Sequence, residues 1–274
     1  MITQPHPAFG WVLVALVVLI VVLAVIAKPA CSREDVKHAT GFKQPAFAME
    51  FAESAKGVAD LYTACSPALV SKGLDGDDRI VIPVYASLLP LVLALIFLCM
   101  PAWTPLPLRL AALALGVCLV GAAAFFDSRE NRTIRDIIGK TTADAQLTPL
   151  PRERIERVDL NQDLLDLRRA TNFKWALIFV WFTVAGLMVL SRGGWWSAAV
   201  AVACLAFAAL GLACVFANRH SLLEFTFGIL LPLPLLLIGL WLALPPHARG
   251  DEPAPKIAAA SAGGDAPVSV GNSP

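Results

Sequence analysis

Hydrophobic and polar positions alternate along this chain in long blocks. Six predominantly apolar stretches, at 11–27, 80–100, 108–126, 174–190, 195–216 and 222–244, are separated by two hydrophilic stretches of about fifty residues and by short turns. Each apolar stretch approaches the roughly 20 residues a helix needs to cross a hydrocarbon core of about 30 Å. The pattern predicts an all-α, polytopic integral membrane protein with about six transmembrane helices. Its parts are a first helix within 1–27, a hydrophilic loop at 28–79, a transmembrane hairpin at 80–126, a charged helical loop at 127–173, three transmembrane helices within 174–244 and a tail at 245–274. The tail, rich in Pro, Ala, Gly and Ser, lacks the apolar bulk to fold and predicts disorder. The first stretch lacks the basic leader and small-residue exit of a cleaved signal peptide, and Lys28-Pro29 follows it directly, so it reads as a retained helix.

Finer periodicities place further elements. In the first loop, Phe47, Phe51, Val58, Leu61, Tyr62 and Cys65 share one arc at 100° per residue, with Glu50, Glu53, Lys56 and Asp60 opposite. This predicts an amphipathic helix over 46–65. Its acidic polar face favours packing on the rest of the protein over lying in the lipid interface, where such helices are rich in Lys and Arg. The third apolar stretch is dense in Ala and Gly, which allow close backbone approach in lipid and predict the centre of the bundle. Its helix is expected to run on past Asp127, because Asp127, Glu130, Asn131, Ile134 and Ile138 keep one face. Residues 148–169 read as a charge-laced connecting helix whose apolar residues wind around both sides. Pro83 and Pro90 should bend the second span, and Pro232 and Pro234 interrupt the sixth.

Composition narrows the class. The chain is 57% hydrophobic and 16% charged, with mean hydropathy +0.68, against about 25% charged in a soluble domain. A net charge of +1 without a basic stripe gives no sign of a nucleic-acid partner. The partners expected are membrane lipid and other membrane proteins.

With six spans, the loops at 28–79, 127–173 and 217–221 share one side. Together with Lys174, that side holds 18 Lys and Arg against 4 on the other. The positive-inside rule makes it cytoplasmic, with both termini outside the inner, cytoplasmic membrane. Cys31 and Cys65 would then remain thiols, whereas the reverse topology would suit a disulfide between them. Cys99, Cys118, Cys204 and Cys214 lie in apolar runs and read as small hydrophobes.

Candidate chemistry collects at one membrane face. Threading the chain through this topology brings together Asp78 and Tyr85 on span two, Asp127, Glu130 and Asn131 leaving span three, Lys174 opening span four, and Arg219, His220 and Glu224 around the start of span six. Carboxylates near hydrocarbon are costly unless paired, so pairing with Lys174 or Arg219 would lock helices together. The alternative reading is a ligand or ion site. No Gly-x-Ser-x-Gly, His-Glu-x-x-His or phosphate-cradling loop occurs, and the four histidines have no i,i+4 pairing. No catalytic residue, metal site or cofactor is expected.

The order Ala48-Met-Glu-Phe-Ala-Glu-Ser54, Asp78-Arg-Ile-Val-Ile-Pro-Val-Tyr85, Phe126-Asp-Ser-Arg-Glu-Asn131 and Phe173-Lys174-Trp175 resembles a loosely defined group of uncharacterised bacterial polytopic membrane proteins. In these an Asp and a Tyr open an early span, an Asp-x-x-Glu-Asn closes the next and a Lys opens the one after. The resemblance covers residues 45–190 and implies that Asp78, Tyr85, Asp127, Glu130, Asn131 and Lys174 belong to one site. It brings no activity with it. The sequence therefore favours a non-enzymatic scaffold, subunit or binding protein. An ion- or proton-coupled transporter or channel using Asp127, Glu130 and Glu224 is the chief alternative, and a lipid-modifying enzyme at the interface the third.

Overall fold

The computed structural model describes residues 6–26, 31–101, 103–142, 152–217, 219–226 and 230–244; the tail at 245–274 lies outside them. Among these residues every regular element is a helix. Four helices are long and apolar enough to cross a bilayer, Pro67–Cys99, Leu106–Thr142, Asn161–Leu190 and Trp195–Phe216, and two shorter apolar helices lie near the ends of the chain. The protein is an all-α membrane protein.

The two shorter apolar helices, α1 (Ala8–Ile26) and α12 (Pro232–Ala243), pack on each other. Gly10 and Gly239 make that crossing possible: a Cβ on Gly10 would overlap the backbone of Ala243, and one on Gly239 would crowd Val14. The rod Pro67–Cys99 consists of α5 (Pro67–Gly76), a π turn (Asp77–Val81) and α6 (Ile82–Cys99). Pro83 sits in the first turn of α6, directly after the wide π turn, and Pro90 lies inside α6. In that turn the Ile82 N–H bonds back five residues to the Asp77 carbonyl.

The next two long helices extend beyond the bilayer. Helix α7 (Leu106–Thr142) has 37 residues and α9 (Asn161–Leu190) has 30, lengths of about 55 and 45 Å at 1.5 Å per residue. Both exceed a hydrocarbon core of about 30 Å. The charged end of α7, the charged start of α9 and the short α8 (Arg152–Glu156) therefore form an extramembrane layer with α2 (Arg33–Thr40), α3 (Pro45–Glu50) and α4 (Ala55–Ala64). Helix α10 (Trp195–Phe216) packs along α9, and α11 (His220–Phe225) follows it.

This layer, the cap, differs from the sequence reading in three respects. The single helix expected over 46–65 is broken into α3 and α4. Ser54 adopts extended backbone and its hydroxyl accepts from the Gly57 N–H, starting a new helix as an N-cap residue. The apolar arc is nonetheless buried: Phe47, Phe51, Val58, Leu61 and Cys65 are all in the interior. Secondly, Ile155, Leu160, Leu164 and Leu167 give the connecting segment a buried side against the cap. Thirdly, Cys31 and Cys65 are not free thiols. They form a disulfide with Cα atoms 5.3 Å apart and a sequence separation of 34, worth about 3–4 kcal/mol in the chain-entropy model.

The centre of the bundle is α9 rather than the Ala/Gly-rich α7. Trp175, Phe179, Trp181 and Phe182 of α9 are buried, while Leu108, Leu110, Leu115 and Phe125 of α7 face outward. Small residues serve α7 on one side only. There Gly116 lies so close to Leu93 that a Cβ would overlap its side chain, while large apolar residues face the lipid.

Buried apolar side chains form two separate cores. One fills the membrane bundle and includes Phe47, Ala123 and Trp175; the other fills the cap and includes Met49, Ile134 and Leu167. Segments that join the two cores carry polar residues at the junction: Glu50 on α3, Asp77 and Asp78 in the π turn between α5 and α6, Asp127 and Glu130 on α7, and Thr171 and Lys174 on α9.

Candidate functional site

Helical spacing on α7 and α9 sets up this polar layer. Asp127, Glu130 and Asn131 project from one face of α7 at spacings of three and four, between Ala123 below and Ile134 above, and all are buried. Thr171 and Lys174, three apart on α9, face them. Because α9 begins at Asn161, Lys174 lies well inside a continuous helix. Its Nζ lies 4.8 Å from the centre of the Trp175 ring, and the side chain is buried.

Lys174 Nζ donates to Glu130 Oε1 at 2.7 Å, Asp127 Oδ1 at 3.2 Å and Glu50 Oε1 at 3.4 Å. An ammonium has three protons to donate, and each is directed at a different carboxylate. The second oxygens are also occupied. Thr171 donates to Glu130 Oε2 at 2.7 Å, Tyr85 to Asp127 Oδ2 at 2.8 Å and the Trp175 indole to Glu50 Oε2 at 3.4 Å. Each of the six carboxylate oxygens thus has one donor within the chain. In formal charge, three carboxylates face one ammonium, with Lys174 4% and Glu130 1% exposed.

A second tier lies toward the surface. Asn131 Nδ2 donates to Asp77 Oδ2 at 2.9 Å and Asp78 Oδ1 at 2.7 Å. Asp78 also pairs with Arg135 at 2.6 Å, and Arg135 reaches Asp75 at 3.2 Å. Asp77 and Asp78 lie in the π turn that joins α5 to α6. The polar network thus ties that turn to α7 as well as tying α3 and α9 to α7.

Among the described residues, Glu224 and Arg219 at the start of the sixth apolar stretch do not join Lys174. Glu224 is buried but accepts from the backbone N–H groups of Lys43, at 3.1 Å, and Gln44, at 2.8 Å, immediately before α3. Its expected pairing with Lys174 or Arg219 is replaced by this backbone anchor, a second fastening of the cap. Arg219 stands exposed at the head of α11 and, among the described residues, is not a partner of the cluster. The His220 side chain lies outside the described residues.

Glu50, Asp77, Thr171 and Trp175 complete the cluster but were absent from the sequence reading of the site. Thr171 had a detectable signal, lying one helical turn before Lys174. Glu50 had a misleading one, since the helical wheel over 46–65 put it on the solvent side. Among the described residues, one surface groove of about 450 Å³ lies beside Arg79, Pro83, Ser87 and Leu91, and another of about 310 Å³ beside Thr40, Glu53, Lys56 and Asp60. Neither is lined by Lys174 or its carboxylates. No family model, curated protein or solved structure matches the chain.

Proposed function

We propose that this chain is a non-enzymatic protein of the inner, cytoplasmic membrane, a scaffold or subunit in which the Lys174 cluster fastens the cap to the membrane bundle. Internal pairing of the cluster carries this reading: each carboxylate oxygen of Glu50, Asp127 and Glu130 has a donor within the chain. Such a site holds helices in register, with every one of these carboxylate oxygens already engaged by a donor of the chain. Membrane lipid and other membrane proteins are the expected partners, because α7 and α10 present Leu108, Phe125, Val202 and Phe216 outward.

One observation favours a second reading, an ion- or proton-coupled transporter or channel. The carboxylates outnumber the ammonium three to one in a buried setting, and uptake of a proton or cation would reduce that imbalance. Asp127→Asn and Glu130→Gln separate the two readings. The scaffold reading expects both variants to lower insertion and yield, with no ion or proton flux in reconstituted vesicles for either the variants or the parent protein. Coupled flux in the parent that is lost in well-folded variants establishes transport instead.

A further inference from the structure

The Cys31–Cys65 bond bears on which side of the membrane the cap occupies. Cys31 follows α1 closely in sequence, and Cys65 ends α4. The bond therefore ties the last turn of α4 to the root of the cap. Both residues are buried, 6% and 3% exposed, within the cap core that also holds Val36, Met49 and Leu61. Disulfides form and persist in oxidising compartments and are rare where cytosolic reductants keep thiols reduced. The bond is integral to the cap's packing, so its compartment is the compartment of the cap.

The basic-residue count argues the other way, with 18 Lys and Arg on the cap side. Sixteen of those residues are spread over two stretches of about fifty residues. Such lengths approach the limit beyond which a segment is translocated largely regardless of its charge. A covalent bond buried in the cap core is the stronger constraint of the two.

We propose that the cap faces an oxidising compartment outside the cytoplasm, and that Cys31–Cys65 is closed there by exchange with a disulfide-bearing oxidant protein. With α1 crossing the bilayer, the segments before α1 and after α12 then lie on the cytoplasmic side, and the Lys174 cluster lies beneath the outer face. In the exchange one cysteine thiolate of the chain attacks the oxidant's disulfide, forming a mixed disulfide and releasing one oxidant thiolate. The second cysteine thiolate attacks the mixed disulfide, closing Cys31–Cys65 and releasing the other. The two protons given up by the chain restore the oxidant's dithiol, and the two electrons pass to the oxidant. Both sulfurs are buried in the finished cap, so the oxidant meets this segment before α3 and α4 dock. The inference is independent of whether the Lys174 cluster is structural or transports ions.

The test uses the full chain with Cys99, Cys118, Cys204 and Cys214 changed to Ala, acid-trapped in cells, denatured and treated with a maleimide–polyethylene glycol. No added mass is expected before reduction, and two tags after it. In parallel, Lys56→Cys, at an exposed cap position, is labelled with a small membrane-impermeant maleimide; it should react in intact cells as fully as in permeabilised ones. Two tags before reduction, or labelling of Lys56→Cys only after permeabilisation, overturns the proposal.

Discussion

Lys174→Met removes the ammonium while keeping most of the stem that packs beside Trp175. Glu130, Asp127 and Glu50 then lose a donor they share at 2.7, 3.2 and 3.4 Å, and Glu130 is only 1% exposed to solvent. Removing one partner of a buried ion pair costs about 3–5 kcal/mol, because the charges left behind stay desolvated. At about 2–4 °C per kcal/mol for a protein of this size, the midpoint should fall by about 6–20 °C. The assay is thermal unfolding in mild detergent at a fixed scan rate, followed by tryptophan fluorescence. Glu130→Gln alone should also destabilise, and the double variant should be less damaged than the two single losses combined, by about 0.5–3 kcal/mol. A Lys174→Met protein that melts with the parent, or losses that simply add, refutes a cluster that holds the helices together.

Other perturbations address the fastenings and packing around the cluster. Glu224→Ala leaves the Lys43 and Gln44 N–H groups without their acceptor; bonds to charged groups contribute about 1.5–3 kcal/mol, and limited proteolysis should cut the loop before α3 faster. Gly211→Ala drives a methyl into the Phe179 ring and should cost about 1–3 kcal/mol by thermal unfolding, whereas Gly139→Ala, with open space around it, should gain about 0.4–1 kcal/mol. Burial pushes the Tyr62 hydroxyl up from 10.0 to about 12. A group with a raised folded-state pKa stabilises below its unfolded value and loses that contribution as pH rises toward the folded one. Stability should therefore fall between pH 10 and about 12, and Tyr62→Phe should flatten that fall.

Particular residues show how far the fold was readable from sequence. Apolar blocks of about 20 residues marked α6, α7, α9 and α10, since hydrocarbon dictates both composition and length. Helical spacing past Asp127 carried α7 out of the membrane, and with antiparallel threading that placed Tyr85, Asp127, Glu130 and Lys174 at one level. Asn131 and Asp78 meet one tier further out. Glu50 was misplaced because a helical wheel assumes one unbroken axis, and the Ser54 cap gives α3 a direction of its own. The partners of Glu224 are backbone N–H groups, which carry no side-chain signature. The central place of α9 was hidden because Ala and Gly in α7 signal close approach without saying how many sides are approached. Pairing of Cys31 with Cys65 stays open in the sequence because it hangs on which compartment the loop faces, and the basic-residue count says nothing about the distance between them.

The central claim is that the cap and the membrane bundle are one mechanical unit joined through Lys174. Hydrogen–deuterium exchange on Glu50→Ala tests it most directly, because Glu50 is the cap's own contribution to the cluster. The expected result is faster exchange across the junction, in α3 and in the 164–175 segment of α9 together, with the lower bundle unchanged. Faster exchange confined to α3, with 164–175 as protected as in the parent, contradicts it.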